Sequence, residues 1–277
     1  VTAEIIPFQP PPLAPRNPRF VPGPTEVVQL AGMWDGGPLP VGWDAEEKID
    51  GIRCAWIEGQ LYSREGAGLE IPHVAAELAR LERRFGQRMM VDGEYQEPGG
   101  FLDTLAWHSS RGKRKATGTF HLFDAVPLDD WRADACEEPL TERRRFIAAA
   151  IGDWEPRHLR RVLPLPVGNR RDVEDLAAAV WARGGEGLML KDGASLYRRE
   201  RSTSWLKVKR KLALSGIVRE VLHGGKALSV EIGGRKVRVS SQLRPTPSAG
   251  MHVSIEAMEW SSTGALRQGI AVGIGRD

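Results

Sequence analysis

A chain of 277 residues with a hydrophobic fraction of 41% can bury one large domain and a small one, so this is a globular protein. Lys+Arg 39 against Asp+Glu 36 leaves a formal charge of +3, a mildly basic balance that permits a polyanionic partner without proving one, because clustering on one face decides. No apolar run approaches the roughly 18 residues of a membrane span, the N-terminus lacks a basic-then-apolar secretory pattern, and no repeat recurs at a fixed period. Cys54 and Cys136 lie far apart without metal-ligand spacing. Reduced thiols of a cytosolic protein fit them, although one bond between the two stays open.

Residues 1 to about 40 are rich in proline, including Pro10-Pro11-Pro12, which favours extended backbone. Ile5, Ile6, Phe8 and Phe20 suggest that this segment drapes over the first domain. From 42 to 64 the pattern is strand, turn, strand, with Glu58-Gly59 as the tight turn. At its edge stands Glu47-Lys48-Ile49-Asp50-Gly51-Ile52-Arg53. Lys48 reads as a nucleophile, and a free lysine amine, with a pKa of roughly 10.4, needs cations or desolvation to expose its lone pair. Arg53 supplies positive company, Asp50 orients a metal or a donor, and Gly51 removes a side chain where a nucleotide nears the backbone. On this block alone, a polar hairpin entry with solvated Lys48 and Asp50 is an equal reading.

Val74, Leu78 and Leu81 share one face of a packing helix over 74–84. Met89-Met90-Val91 then reads as a buried strand that delivers Asp92-Gly93-Glu94, where a carboxylate is costly unless paired or bound to metal. Arg111-Gly112-Lys113-Arg114-Lys115 is the densest basic cluster; it is either a solvated face or a contact for DNA phosphates. Residues 119–126 look like a central strand carrying Phe123, with His121 structural. Thr141 is a candidate cap for the next helix, and 171–183 is a second amphipathic helix ended by Gly184-Gly185. Glu186-Gly187-Leu188-Met189-Leu190-Lys191 follows: an acid, a glycine, an apolar strand and a lysine. In Trp205-Leu206-Lys207-Val208-Lys209 strict alternation puts both lysines on one strand face, either to grip an anion or to protect an exposed edge. Beyond Lys211, short strands at 215–221, 227–232, 236–240 and 251–260, separated by glycine pairs and a 245–250 turn, suit a small antiparallel barrel.

Five blocks in this order, Glu47 to Arg53, Val91 to Glu94, Phe120 to Asp124, Glu186 to Lys191 and Trp205 to Lys209, resemble the ATP-dependent DNA ligases of small phage or bacterial type. Those belong to the covalent nucleotidyltransferase superfamily, with RNA ligases and mRNA capping enzymes. The resemblance implies an α+β fold: an N-terminal extension and adenylation domain over 1–211, with antiparallel sheets and packed helices, then an all-β OB-fold domain over 212–277, and no separate DNA-binding domain upstream. It implies that Lys48 carries AMP, with Arg53, Lys207 and Lys209 as catalytic cations. It assigns the nucleotide to Glu47, Asp50, Arg53, Arg64, Glu94, Phe123, Glu186, Lys191, Lys207 and Lys209, with Phe123 as the adenine platform. Glu94 and Glu186 would hold Mg²⁺, for which Mn²⁺ can substitute. Arg64, Arg111, Lys113, Arg114 and Lys115 would contact DNA; Arg64 alone reads equally well as an exposed turn arginine.

The implied reaction seals nicks in duplex DNA with ATP and Mg²⁺, by a monomer in the cytoplasm of a bacterium or phage-infected cell, without a membrane. An RNA ligase or capping-type nucleotidyltransferase shares the pocket logic, though nothing marks a guanine site. A catalytically idle nucleic-acid-binding protein of the same fold is the third reading, against which the intact lysines and carboxylates argue. The segment 266–277 departs from the family's basic terminal motif: Gly269 replaces a proline, Ala271 an aromatic and Gly275 an arginine. Whether Arg267 or Arg276 orients pyrophosphate therefore stays open.

Overall fold

The computed structural model describes residues 27–110, 112–210, 212–257, 259–260, 264–267 and 269–275. The expected drape of the first residues, and the roles given to Arg111 and Arg276, fall outside them. The chain divides into two compact units, Val1–Val208 and Lys209–Asp277.

The first unit carries strands β1 (Leu30–Met33), β2 (Trp43–Glu47), β3 (Ile52–Ile57), β4 (Gln60–Ser63), β5 (Gly68–Leu69), β6 (Met89–Gln96), β7 (Thr119–Pro127), β8 (Leu159–Arg161), β9 (Leu165–Pro166), β10 (Gly187–Asp192) and β11 (Arg201–Lys209). Its helices are α1 (Pro72–Phe85), α2 (Phe101–Ser109), α3 (Leu128–Ala133), α4 (Leu140–Ile151) and α5 (Arg170–Ala182). The strands form a six-stranded sheet, β5-β4-β3-β6-β7-β8, and a five-stranded sheet, β1-β11-β10-β2-β9. Alternation along each strand then builds layers. Cys54, Trp56, Val91, Tyr95 and Phe120 turn toward α1 and α4, burying Val74, Leu78, Leu81 and Ile147 against the first sheet. Ala45, Leu188, Leu190 and Val208 bury Val173, Ala177 and Val180 of α5 against the second. The remaining faces of the two sheets meet around Ala55, Ile57, Met90, Val126, Tyr197 and Trp205.

Two irregularities aim side chains into the space between the sheets. On β7, Asp92 faces Asp124 and Gly93 faces Leu122, so Phe123 is a bulge residue without a partner across the ladder. On β11, Ala31 pairs with Ser202 and Gly32 with Leu206, so 203–205 are extra residues and Trp205 is driven into the core.

One expectation needs correction, and one helix is unanticipated. Thr141 is not a cap: α4 begins at Leu140 with Pro139 at the N-cap, and the Thr141 hydroxyl donates to the Gly193 carbonyl. Within the stretch that holds the basic cluster, Phe101–Ser109 is helical. Leu102 and Leu105 of that helix face solvent, so its sequence has no clean apolar stripe.

In the second unit, β12 (Leu212–Leu222), β13 (Ala227–Ile232), β14 (Arg235–Ser241), β15 (His252–Ala257) and β18 (Ile270–Ile274) close a barrel in the order β12-β13-β14-β18-β15, while β16 (Glu259–Trp260) and β17 (Leu266–Arg267) pair with each other. Val218, Leu228, Val230, Val237, Val239, Val253 and Ile255 fill its interior. The small barrel matches the expectation; strand β18 lies within the segment read only as a weakened terminal motif.

Candidate active site

Lys48 follows β2, and its backbone N–H donates to the Gly187 carbonyl at 2.9 Å, extending the β2–β10 ladder to the point where Glu186 precedes β10. The two side chains meet there. Lys48 Nζ donates to Glu186 Oε2 at 2.5 Å, with the lysine 19% and the glutamate 4% exposed. Glu94 stands within the same electrostatic cluster. Burial pushes its carboxyl up to about 7, against the pull of Lys48 and Arg53, and the negative charges of Glu186 and Asp92 add to the rise. Gly51 lets this happen: a Cβ there would sit 2.2 Å from the Tyr95 carbonyl oxygen and 3.0 Å from Glu94 Cγ. Gln96 Nε2 donates to the Asp50 carbonyl at 3.0 Å, which ties the same loop to β6.

Arg53 does not pair with Lys48. Its Nε and Nη2 donate to Asp92 Oδ1 and Oδ2 at 2.9 and 2.6 Å, a fork on a carboxylate with no solvent exposure. Burial works against the guanidinium charge, yet Asp92 more than offsets it, and the group is held more firmly protonated than an ordinary arginine. The guanidinium carbon lies 5.0 Å from the Phe123 ring centre and 5.6 Å from that of Trp205. Lys191 Nζ approaches the same two rings at 4.4 and 4.1 Å. Phe123 thus has two cations within reach of its ring, beside an edge-on Trp205 at 6.0 Å.

Lys191 is only 1% exposed. Its ammonium pairs with Glu46 at 2.6 Å. Burial lowers its proton affinity, Arg144 adds to that, and Glu46 and Asp124 oppose it. Arg144 from α4 donates to Asp44 and Glu46, each at 2.7 Å. The buried, doubly paired carboxylate of this stretch is therefore Glu46, two residues before Lys48, while Glu47 is more open. Along β2, Asp44 and Glu46 share a face and lie across from Lys191 and Met189, while Glu47 faces the α5 side and takes Arg183 at 2.6 Å. The signal for Glu46 was in the sequence, two residues before Lys48 on an extended strand. Arg144 and Met189, a partly buried neighbour of the aromatic cluster, carry no such mark.

Lys207 lies on the Trp205 face of β11, because Leu206 and Val208 are committed to the α5 core. Lys209 closes that strand and opens the second unit. Arg64 is exposed and donates twice to Glu65, and Lys113, Arg114 and Lys115 are exposed. Arg64 nevertheless adjoins the cluster through its backbone, whose N–H donates to the Arg53 carbonyl at 3.2 Å.

The family model for the ATP dependent DNA ligase domain matches residues 40–209, from just before β2 to the end of β11. The chain belongs to the ATP-dependent DNA ligase family. A probable DNA ligase of Streptomyces coelicolor is 30% identical over 213 residues, covering 69% of this chain and 40% of that protein. A DNA ligase of Haemophilus influenzae is 29% identical over 185 residues, covering 66% and 63%. The chain thus spans about two fifths of the length of the Streptomyces relative. A solved structure from a structure-function analysis of Lig E DNA ligases superposes with a TM-score of 0.71 at 21% identity, over 92% of this chain and all of that one, a likeness of fold.

Two carboxylates, Glu94 and Glu186, are the donors that this cluster offers a hard divalent cation. Glu94 and Glu186 form a like-charge pair beside Lys48, and a hard divalent cation relieves that repulsion. Mg²⁺ commonly takes one or two carboxylates and keeps several waters, so the two acids fit it.

Proposed function

We propose that the chain is an ATP-dependent DNA ligase that seals 5′-phosphate/3′-hydroxyl nicks in duplex DNA. Lys48 Nζ attacks the α-phosphorus of ATP; a nitrogen–phosphorus bond forms, the bond to pyrophosphate breaks, and the amine proton passes to the adjoining carboxylates. The 5′-phosphate at the nick then takes AMP from Lys48, and the 3′-hydroxyl displaces AMP to close the backbone. In-line phosphoryl transfer of this kind rests on positioning and on cations at the developing charge. Arg53, Lys207 and Lys209 supply those cations. Mg²⁺, when held by Glu94 and Glu186, would supply further neutralisation of phosphate charge.

The observation that carries this reading is the 2.5 Å pair of Lys48 and Glu186, coupled to Glu94, which also feels Arg53, the cation 5.0 Å from the Phe123 ring centre. Glu46 supports adenine as the base, because a buried acceptor favours the exocyclic amine of adenine over the carbonyl of guanine. Lys113, Arg114 and Lys115, with Arg64 once released from Glu65, give the duplex its phosphate contacts. The enzyme works as a cytoplasmic monomer.

Incubation with α-labelled ATP, followed by nicked duplex, tests the proposal. Label on the protein that is lost in Lys48→Ala, and transferred on adding a nick, is the expected result. Labelling at another residue, or joining of single-stranded RNA in preference to nicked DNA, overturns it.

A further inference from the structure

The fork between Arg53 and Asp92 is itself held from outside. Asp92 Oδ2 accepts a second hydrogen bond, at 2.7 Å, from the hydroxyl of Tyr197, a residue of the loop before β11 that is 1% exposed. The tyrosine oxygen in turn accepts the backbone N–H of Gln29 at 3.1 Å, and the Gln29 side-chain oxygen accepts the backbone N–H of Arg198 at 2.9 Å. The chain of bonds therefore runs from the segment before β1, through the β11 side of the cleft, to β6 and then to β3. It crosses between the two sheets. Burial and the Asp92 charge push the Tyr197 phenol well above its ordinary value, so it remains a donor.

Arg53 spends Nε and Nη2 on Asp92, and its plane is fixed further by Phe123 and Trp205. The other edge of the fork, Nη1, is the part left to meet an anion. Which way that edge points depends on the rotamer of Asp92, and Asp92 Oδ2 is pinned by Tyr197. We infer that Tyr197 is a positioning residue for the ligase reaction, acting through Asp92 to aim the guanidinium of Arg53 at the phosphate of the nucleotide or the nick. The inference rests on the proposed reading of Arg53 as a substrate contact. Arginine is suited to such a task because its donors are fixed in one plane, whereas lysine offers only a mobile point charge.

The test is single-turnover AMP transfer from α-labelled ATP, with the rate followed across ATP concentration, for the full chain carrying Tyr197→Phe. The expected result is a fall of about tenfold in the maximal rate, with the half-saturating ATP concentration changed less than about threefold, as for loss of an aligned interaction and not of bulk binding. A purely structural role would not give that split. Arg53→Lys keeps the charge but loses the fork, so adding Tyr197→Phe to it should cost less than about twofold. Equal losses in both backgrounds, or a wild-type rate in Tyr197→Phe, overturn the inference. Should Tyr197→Phe fail to fold, ring-fluorinated tyrosine at 197 alters the donor while keeping the shape; a maximal rate that ignores the fluorination overturns it equally. A wild-type chain that takes no label sinks the reading of the site and the inference together, whereas a labelled wild type with an unaffected variant sinks the inference alone.

Discussion

Replacing Gly51 by alanine tests whether Lys48, the proposed nucleophile, is held by geometry. The added Cβ would lie 2.2 Å from the Tyr95 carbonyl oxygen, 3.0 Å from its carbonyl carbon and 3.0 Å from Glu94 Cγ. Non-bonded heavy atoms settle at about 3.5 Å, so the Lys48–Gly51 loop and β6 must part by ~1 Å. Neither side gives easily. The oxygen belongs to the β3–β6 ladder, where Tyr95 pairs with Ile52, and Lys48 is bonded through its backbone to Gly187. Overpacking of this kind costs roughly 1–3 kcal/mol, while a displacement of ~1 Å at a reacting group costs on the order of a hundredfold in rate. Gly51→Ala should therefore stay folded at 25 °C and take up AMP about a hundredfold more slowly. Single-turnover labelling, with circular dichroism on the same sample, measures both. Gly86→Ala is the control: that residue caps α1 at φ 71 with nothing within 4 Å of the added methyl, so it loses stability without losing rate. A Gly51→Ala protein that labels at the wild-type rate would refute the reasoning.

Glu94 gives a pH prediction. Its carboxyl is pushed up to about 7 from an ordinary 4.5, so between those values the folded state binds the proton more tightly than the unfolded chain does. Stability must then fall as pH rises through that window, by at most about 3 kcal/mol. Glu94→Gln removes the effect, and urea denaturation in EDTA should find the variant more stable than wild type at pH 8 but not at pH 4.5; parallel curves would contradict it. Alanine at Lys113, Arg114 and Lys115 together should flatten the dependence of log affinity for nicked duplex on log salt by about two to three, leaving AMP labelling intact. An unchanged slope would remove these residues from the DNA contact.

The parts of this fold that could be read from sequence are those where local chemistry and burial agree. The β3–β4 hairpin carries its turn at Glu58-Gly59, with Glu58 and Gly59 both at positive φ. Helix α1 buries the apolar face its spacing marks, at Val74, Leu78 and Leu81. Lys48 and Glu186 were singled out separately, 138 residues apart, and they meet. What could not be read depends on register. Nothing in Phe120 to Asp124 announces a bulge, yet the bulge turns Phe123 toward the cleft, and Asp124, its neighbour in sequence, takes the fork of Arg143. Glu46 and Glu47 are chemically alike, and only the strand face separates a buried ion-pair partner from a residue on the α5 side. Arg144, Tyr197 and Gln29 act through neighbours far away in sequence, which no local pattern encodes.

The cations of the cleft fall into two kinds, and the difference bears on how a polyphosphate can enter. Lys48, Arg53 and Lys191 each already have a carboxylate: Glu186, Asp92 and Glu46 in turn. Breaking a buried pair by removing one partner typically costs 3–5 kcal/mol, because a charge is left uncompensated. The Lys191–Glu46 pair, at 1% and 2% exposure and braced by Arg144, is of that sort, and a nucleotide must accept it as part of the wall. Lys48 and Arg53, at 19% and 15%, sit at the open side of the cleft. A phosphate arriving at Lys48 can take the place of Glu186, while Arg53 keeps its fork on Asp92 and offers Nη1, so the charge on Lys48 is never stranded. A divalent ion between Glu94 and Glu186 would favour the same exchange, because a carboxylate engaged by metal holds the ammonium less strongly. Under the proposed function, the pair of Lys48 and Glu186 is the resting form of the site, which nucleotide and metal would open.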